Sequence, residues 1–382
     1  MILSSKAKCS PAPVKVKYAD LVLILMLLLF VHGVGAQMVY GQDSGSPSAR
    51  ALAKFEPPNG QFLFFIGQDL GAIGGLDQYK DGYCDNFDVP TGFTTYTNFS
   101  PGGESFGFTA RGNDGIKSKA NWGAGDNCAR CVIDDPDFQY SLVSIGLSLV
   151  DHEKAVAKGN RDHLIRELGD WIKGLGRRPV FLRIGYEFDG WEWNHYKKKH
   201  YLDAWERIHS VFAEMEVNNV AFVWQSKGTG TDQETLEDWY PGDELVDWCG
   251  YSYFGNPDEE MLVFARKHAK PVFIAEATPV FEMDGLYFDT RLSNPKIAER
   301  AWGQWFLPFL ETIHKNADII KAFSYINVNW SAQAMWVINP TFQQVDSRIQ
   351  VSEYLSERWR AEMTKPSYLK PRALLWETLW KE

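Results

Sequence analysis

Two apolar segments of the chain each end on a glutamate. One is Pro179-Val-Phe-Leu-Arg-Ile-Gly-Tyr-Glu187 and the other Lys270-Pro-Val-Phe-Ile-Ala-Glu276. A paired carboxylic acid and carboxylate suit cleavage of a glycosidic bond: one donates a proton to the leaving oxygen while the other attacks the anomeric carbon. A separation of about 5–5.5 Å between them would retain configuration. A lone glutamate at a strand end is ordinarily just solvated; two closing strands of the same kind carry more weight. Arg183 precedes Glu187 by four residues, so strand alternation predicts both on one face. Its guanidinium there would keep Glu276 ionised, or serve only as a buried structural partner. Asp189, two residues beyond Glu187, suits either sugar hydroxyls or a loop-stabilising role.

Aromatic side chains are the second signal. The chain has 382 residues, with 15 Trp, 16 Tyr and 24 Phe. An indole N–H needs a partner when buried, and flat rings exposed in a cleft stack on the apolar faces of sugars. Trp191, Trp193 and Tyr196 follow the Glu187 strand and suit either stacking or loop packing. Trp224 ends a strand and Trp330 follows one, and both are expected at the mouth. Asp69 and Asn121-Trp122 are further candidates for substrate contact. Trp171, Trp205, Trp302 and Trp305 have helical core spacing and are expected to pack.

The elements that would position these residues alternate. Eight short apolar runs are predicted as strands: 62–67, 93–99, 142–150, 180–185, 220–225, 246–251, 272–275 and 322–328. They are apolar on both faces, as in a parallel sheet covered on both sides. Helical periodicity is predicted after a cap at Asn160, over 200–215, over 297–314 and over 351–363. The pattern predicts an α/β fold, a single (β/α)8 barrel with long loops at the C-terminal face of its strands, where active residues gather. The fourth and seventh strands, which end on Glu187 and Glu276, then converge across the mouth. An open doubly wound sheet is the alternative, but no GxGxxG or GxxxxGK[ST] occurs. Nor is there a GxSxG elbow, and His152-Glu153 lacks the second His of HExxH.

Residues 1–36 are expected to be a signal peptide, with Lys6, Lys8, Lys15 and Lys17 before the apolar run 21–31 and small residues up to Ala36. The alternative is an uncleaved anchor. Removal takes four of the 39 basic and one of the 49 acidic residues and leaves a net charge of −13, which offers no basic footprint for nucleic acid. A flexible linker is expected over 37–56, the catalytic domain over 57–365 and a C-terminal tail over 366–382. Cys84, Cys128 and Cys131 lie in polar loops, where a disulfide would pin them; Cys249 is expected to be a buried thiol. Cys128 and Cys131 have half the spacing of a zinc site, but no second half follows. Neither an organic cofactor nor a metal is expected. Asn98 and Asn329 stand in glycosylation sequons.

The segments PVFLRIGYEFDGWEWNHY, WYPGDELVDWCGYSYF and KPVFIAEATP, with the later AERAWGQWFLPFLETIH and DSRIQ, resemble glycoside hydrolase family 26 over roughly residues 60–350. That resemblance implies a retaining (β/α)8 enzyme with Glu187 as acid/base and Glu276 as nucleophile. It also implies that Tyr253, or else Tyr251, gives a hydroxyl to the nucleophile, and that Trp330 forms the aromatic floor under the sugar being cleaved. Tyr186 departs from the family's mannan-cleaving members, most of which carry His before the acid/base. The expectation is a secreted, monomeric, endo-acting β-glycosidase of mannan or β-1,3-xylan type, bound to its polysaccharide and to no membrane after signal cleavage. A non-catalytic polysaccharide-binding barrel and a cell-wall transglycosylase are the competing readings.

Overall fold

The computed structural model describes residues 51–283 and 285–380. The expected signal peptide and most of the expected linker lie outside the described residues. Eight parallel strands close into one barrel. They are β1 (Leu63–Gly67), β2 (Gly92–Asn98), β3 (Leu142–Ser148), β4 (Val180–Ile184), β5 (Val220–Ser226), β6 (Trp248–Tyr253), β7 (Val272–Ala277) and β8 (Ile320–Ile326). All eight predicted runs become barrel strands, in order. No helix among the described residues is long and apolar enough to cross a membrane.

Alternation decides what each strand faces. On β4, Val180, Leu182 and Ile184 join the large core under the helices, while Phe181 points into the barrel. β5 repeats the pattern with Val220, Phe222 and Trp224 outward and Ala221 and Val223 inward. The helices α1 (Asp162–Gly174) and α2 (Lys198–Glu214) cover this side. The expected side-chain cap at Asn160 is not formed: α1 starts after Arg161, which makes no capping hydrogen bond.

The predicted helix over 297–314 is interrupted. It runs as α3 (Pro295–Ala301), a π turn (Trp302–Phe306) and α4 (Leu307–Lys315). Pro308 has no N–H for the carbonyl four residues back and its ring crowds that carbonyl, so the backbone widens locally. The turn delivers Trp305 into the core, with its Nε1 donating to the Phe254 carbonyl at 3.0 Å. α5 (Glu353–Met363) follows β8, two residues later than its predicted start.

The barrel interior is layered. Its lower half is aromatic: Phe65, Phe181, Trp248 and Phe273 meet edge to face or tilted, with centroids 5.0–5.9 Å apart. Both flanking segments belong to this floor. Phe55 is buried against Phe181, and Trp248 Nε1 donates to the Lys54 carbonyl at 2.7 Å. The short α6 (Leu375–Leu379) buries Leu375 and Leu379 in the same cluster. The stretch expected as a tail therefore seals the barrel, because the open lower end of an apolar cylinder needs a cover. Truncation after Lys365 should remove the burial of Tyr368, Leu375 and Leu379, at roughly 1.5–3 kcal/mol each. The melting temperature should then fall by about 10 °C or more; an unchanged thermal transition would show that α6 is dispensable.

Candidate active site

The upper half of the barrel interior is polar. β4 ends at Ile184, and the chain then takes left-handed backbone at Gly185 (φ 54°) and again at Glu187 (φ 52°). Glycine suits the first position because an added Cβ would lie 2.6 Å from Tyr201 Cε2. Positive φ at a glutamate is strained and must be held by its surroundings. Asn194 supplies the hold, donating from Nδ2 to the Glu187 carbonyl and, at 3.2 Å, to that of Tyr186. Simple alternation therefore does not carry Glu187 to the mouth; the two left-handed residues do.

Glu276 reaches the interior through a different irregularity. Phe273 and Ala275 already face inward, so strict alternation would turn Glu276 out. The register of β7 slips against β8 between Ile274 and Ala277, and that of β6 against β7 between Tyr251 and Ser252. A bulge of this kind re-aims a side chain. Here it sets Glu276 beside Ser252, its partner across the ladder.

Each carboxyl is anchored through one oxygen. Glu276 Oε1 accepts from Arg183 Nη1 at 2.7 Å and from the Tyr96 hydroxyl at 2.9 Å. Glu187 Oε1 accepts from Ser252 Oγ at 2.6 Å. Gln225 joins the two halves: its Oε1 accepts from Arg183 Nη1 at 3.0 Å and its Nε2 donates to Ser252 Oγ at 3.0 Å. Arg183 is fully buried, and the rings of Tyr96 and Tyr186 lie 5.0 and 5.3 Å from its guanidinium carbon. Room for Tyr96 and Arg183 comes from Gly146 between them on β3, where a Cβ would sit 2.5 Å from Tyr96 Cδ1 and 2.8 Å from Arg183 Nη2.

The environments separate the two acids. Burial and the charge of Glu276 push the Glu187 carboxyl up to about 8, with the Ser252 hydrogen bond opposing. Burial opposes the charge of the Arg183 guanidinium, but Tyr96 and Glu276 beside it outweigh that and hold it charged; it bonds to Glu276 directly and not to Glu187. Burial, reinforced by Glu276, also pushes the Tyr96 phenol well up, so it remains a donor. A proton-holding acid next to an arginine-paired carboxylate is the division of roles a two-carboxylate reaction requires.

Several candidates take other places. Tyr253 is buried between Trp305 and Phe309, with centroids at 5.5 and 5.0 Å; neither it nor Tyr251 donates to Glu276. Tyr96 does, from the far side of the barrel. Trp224 is fully buried on the helix side, stacked 4.5 Å from Phe188, not at the mouth. Trp330 is 2% exposed, stacked at 4.2 Å on Phe342 and bonded through Nε1 to Ser347 Oγ at 3.2 Å. It packs the loop after β8 and offers no open floor. Asp189 stabilises the neighbouring loop: it accepts from Lys227 N at 2.6 Å and from the Thr231 hydroxyl. Asp69 caps the helical turn Leu70–Ile73 and accepts from Gln333 Nε2 at 3.0 Å, and burial lifts its carboxyl to about 6. Trp122 is half-buried over Gly115. Tyr196 is buried, its hydroxyl accepting from Leu149 N at 3.2 Å. Tyr186 is half-buried beside Tyr96, with centroids 5.4 Å apart. Trp191 and Trp193 remain open, 43% and 47% exposed, on the loop that carries Glu187.

Tyr96, Gln225 and Ser252 escaped the sequence reading. Their signal was present: each is a polar residue in an otherwise buried strand, at the end that forms the mouth. The loop disulfide joins Cys128 to Cys131, with Cα atoms 5.3 Å apart. Cys84 and the buried Cys249 are free.

A closed parallel barrel whose strand ends bring an acid and a carboxylate into one hydrogen-bond network is the framework of a glycoside hydrolase. The model of glycosyl hydrolase family 26 matches residues 117–326. The chain is 30% identical over 342 residues to the β-1,3-xylanase TXYA of a Vibrio species, covering 84% of this chain and 69% of that one. It is 30% identical over 345 residues to a β-1,3-xylanase of an Alcaligenes species, covering 84% and 67%. The chain belongs to glycosyl hydrolase family 26, and it is a glycoside hydrolase. Among solved structures, GH26C from Muricauda sp. MAR_2010_75 shares the fold with a TM-score of 0.54 at 13% identity, over 83% of this chain and 90% of that one. A GH26 β-mannanase from Bacteroides ovatus shares it with a TM-score of 0.51 at 16% identity, over 81% and 90%.

Proposed function

We propose that this protein is a secreted endo-acting β-glycanase that cleaves β-1,3-xylan with retention of configuration. The observation that carries the chemistry is the unequal anchoring of the two acids in one network. Glu187, protonated up to about pH 8, donates its proton to the glycosidic oxygen as that bond to the anomeric carbon breaks. Glu276, ionised beside Arg183, attacks the same carbon and forms a glycosyl ester. Glu187, now a carboxylate, takes a proton from water as the water displaces Glu276, which restores both groups. Trp191 and Trp193 offer open rings for stacking along the chain substrate. The choice of β-1,3-xylan over mannan rests on the two relatives named as β-1,3-xylanases and on Tyr186, which stands where most mannan-cleaving members carry His. Secretion rests on the signal-like residues 1–36.

A panel of β-mannan, β-1,3-xylan, β-1,4-xylan and mixed-linkage β-glucan tests the proposal. Purified protein should release a ladder of oligosaccharides from β-1,3-xylan, with β-anomers appearing first by proton NMR. Preference for mannan would overturn the substrate, α-anomers first would overturn retention, and longer products would reveal a transglycosylase. Tight binding without new reducing ends would reveal a binding protein.

A further inference from the structure

We propose that Gln225 and Ser252 form a one-way hydrogen-bond relay that holds the catalytic proton of Glu187 on Oε2, the oxygen turned away from Ser252. The catalytic part of this inference rests on the acid/base assignment above; the proton placement does not.

Donor and acceptor bookkeeping fixes the direction. A guanidinium only donates, so the Gln225 atom 3.0 Å from Arg183 Nη1 is the carbonyl oxygen. The other end of that amide is then NH2, and it donates to Ser252 Oγ at 3.0 Å. With a lone pair of Oγ so engaged, the hydroxyl hydrogen goes to the other close neighbour, Glu187 Oε1 at 2.6 Å. Oε1 is therefore an acceptor in both protonation states. In the neutral acid the carbonyl oxygen is the strong acceptor, so Oε1 takes that role and the proton resides on Oε2. Among the described residues no hydrogen bond engages Oε2, which leaves it to the substrate. Reversing the relay would require Gln225 to turn its NH2 toward the guanidinium, placing donors against donors in a fully buried site.

Gln225 and Ser252 are thus positioning residues. They keep the acid from spending its proton on the protein, and when the glycosidic oxygen takes that proton from Oε2, Oε1 remains hydrogen-bonded as the negative charge develops. An arginine 42 positions away from Gln225 sets the polarity of the whole chain without touching the acid.

Neutron diffraction from crystals of the full protein in heavy water below pH 7 tests the placement directly. The deuteron should lie on Glu187 Oε2, with the Ser252 deuteron directed at Oε1; a deuteron on Oε1 overturns the proposal. The kinetic arm compares β-1,3-xylan with a 2,4-dinitrophenyl xylo-oligosaccharide, whose leaving group needs no proton. Ser252→Ala should lower kcat on xylan about tenfold with KM within about twofold, yet lower the activated substrate less than about threefold. Ser252→Thr should restore xylan turnover. Gln225→Glu, which draws the Ser252 hydroxyl away from Glu187, should produce the same split in a protein shown to be folded by its thermal melt. Equal losses on both substrates, or none, would assign the relay a structural role only. Full xylan activity in Glu187→Gln would instead sink the acid/base assignment and leave the deuteron position standing.

Discussion

Glu276→Ala loses about 10⁵-fold in kcat, and added azide restores turnover while yielding the glycosyl azide of inverted configuration. Alanine leaves no group to trap the anomeric carbon, but it opens space into which a small anion can enter from the same side. One displacement then replaces two, and the stereochemistry reports it. The variant carries a stability cost as well. Arg183 is fully buried and would lose the carboxylate that is its only acidic partner among the described residues, and breaking a buried pair in this way costs about 3–5 kcal/mol. Glu276→Gln, which keeps an oxygen for Tyr96 and Arg183, should recover part of that cost but none of the activity. Undiminished turnover of Glu276→Ala in azide-free buffer would remove Glu276 from the reaction.

Glu187→Gln separates function from stability in the opposite direction. Turnover of the polysaccharide should fall 10³–10⁴-fold, while an aryl glycoside with an activated leaving group still forms the glycosyl-enzyme. Azide should then accelerate release and give a product of retained configuration. The wild-type profile of kcat/KM should have its basic limb near pH 8, set by the acid held at about 8, and the variant should lack that limb. The linked effect on stability follows from the direction of the shift. The fold favours the neutral acid, so Glu187 weakens the native state as pH rises from the ordinary glutamate range through about 8. Glutamine mimics the neutral form at every pH. The variant should therefore melt with the wild type at pH 4 and several degrees above it at pH 9. Equal melting temperatures at pH 9 would mean that the carboxyl ionises without penalty.

The barrel was legible in the sequence because strands covered on both faces leave long apolar runs that little else produces. The two glutamates were legible because they interrupt such runs at the mouth-forming end. The identity of their partners depended on parity. Trp224 and Gln225 are adjacent, and only the inward register of Ala221 and Val223 shows that the glutamine, not the tryptophan, enters the barrel. Glu276 obeys no parity at all, since a bulge turns it inward after Ala275. Tyr96 sits in Gly-Phe-Thr-Thr-Tyr-Thr-Asn, a strand expected to be buried on both faces, where the polar threonines on either side of it masked the side chain that reaches Glu276. The rings at Trp330 and Tyr253 were misplaced for another reason: the long segment after β8 and the π turn before α4 supply their own packing partners, which sequence spacing does not reveal.

The sealing of the barrel has a consequence during folding. All eight strands precede Leu375 and Leu379 in the chain, so a barrel that closed before these residues docked would leave Phe65, Phe181, Trp248 and Phe273 uncovered at one end. Apolar surface exposed in that way makes an incompletely folded chain prone to aggregate, and the docking of α6 is the step that removes it.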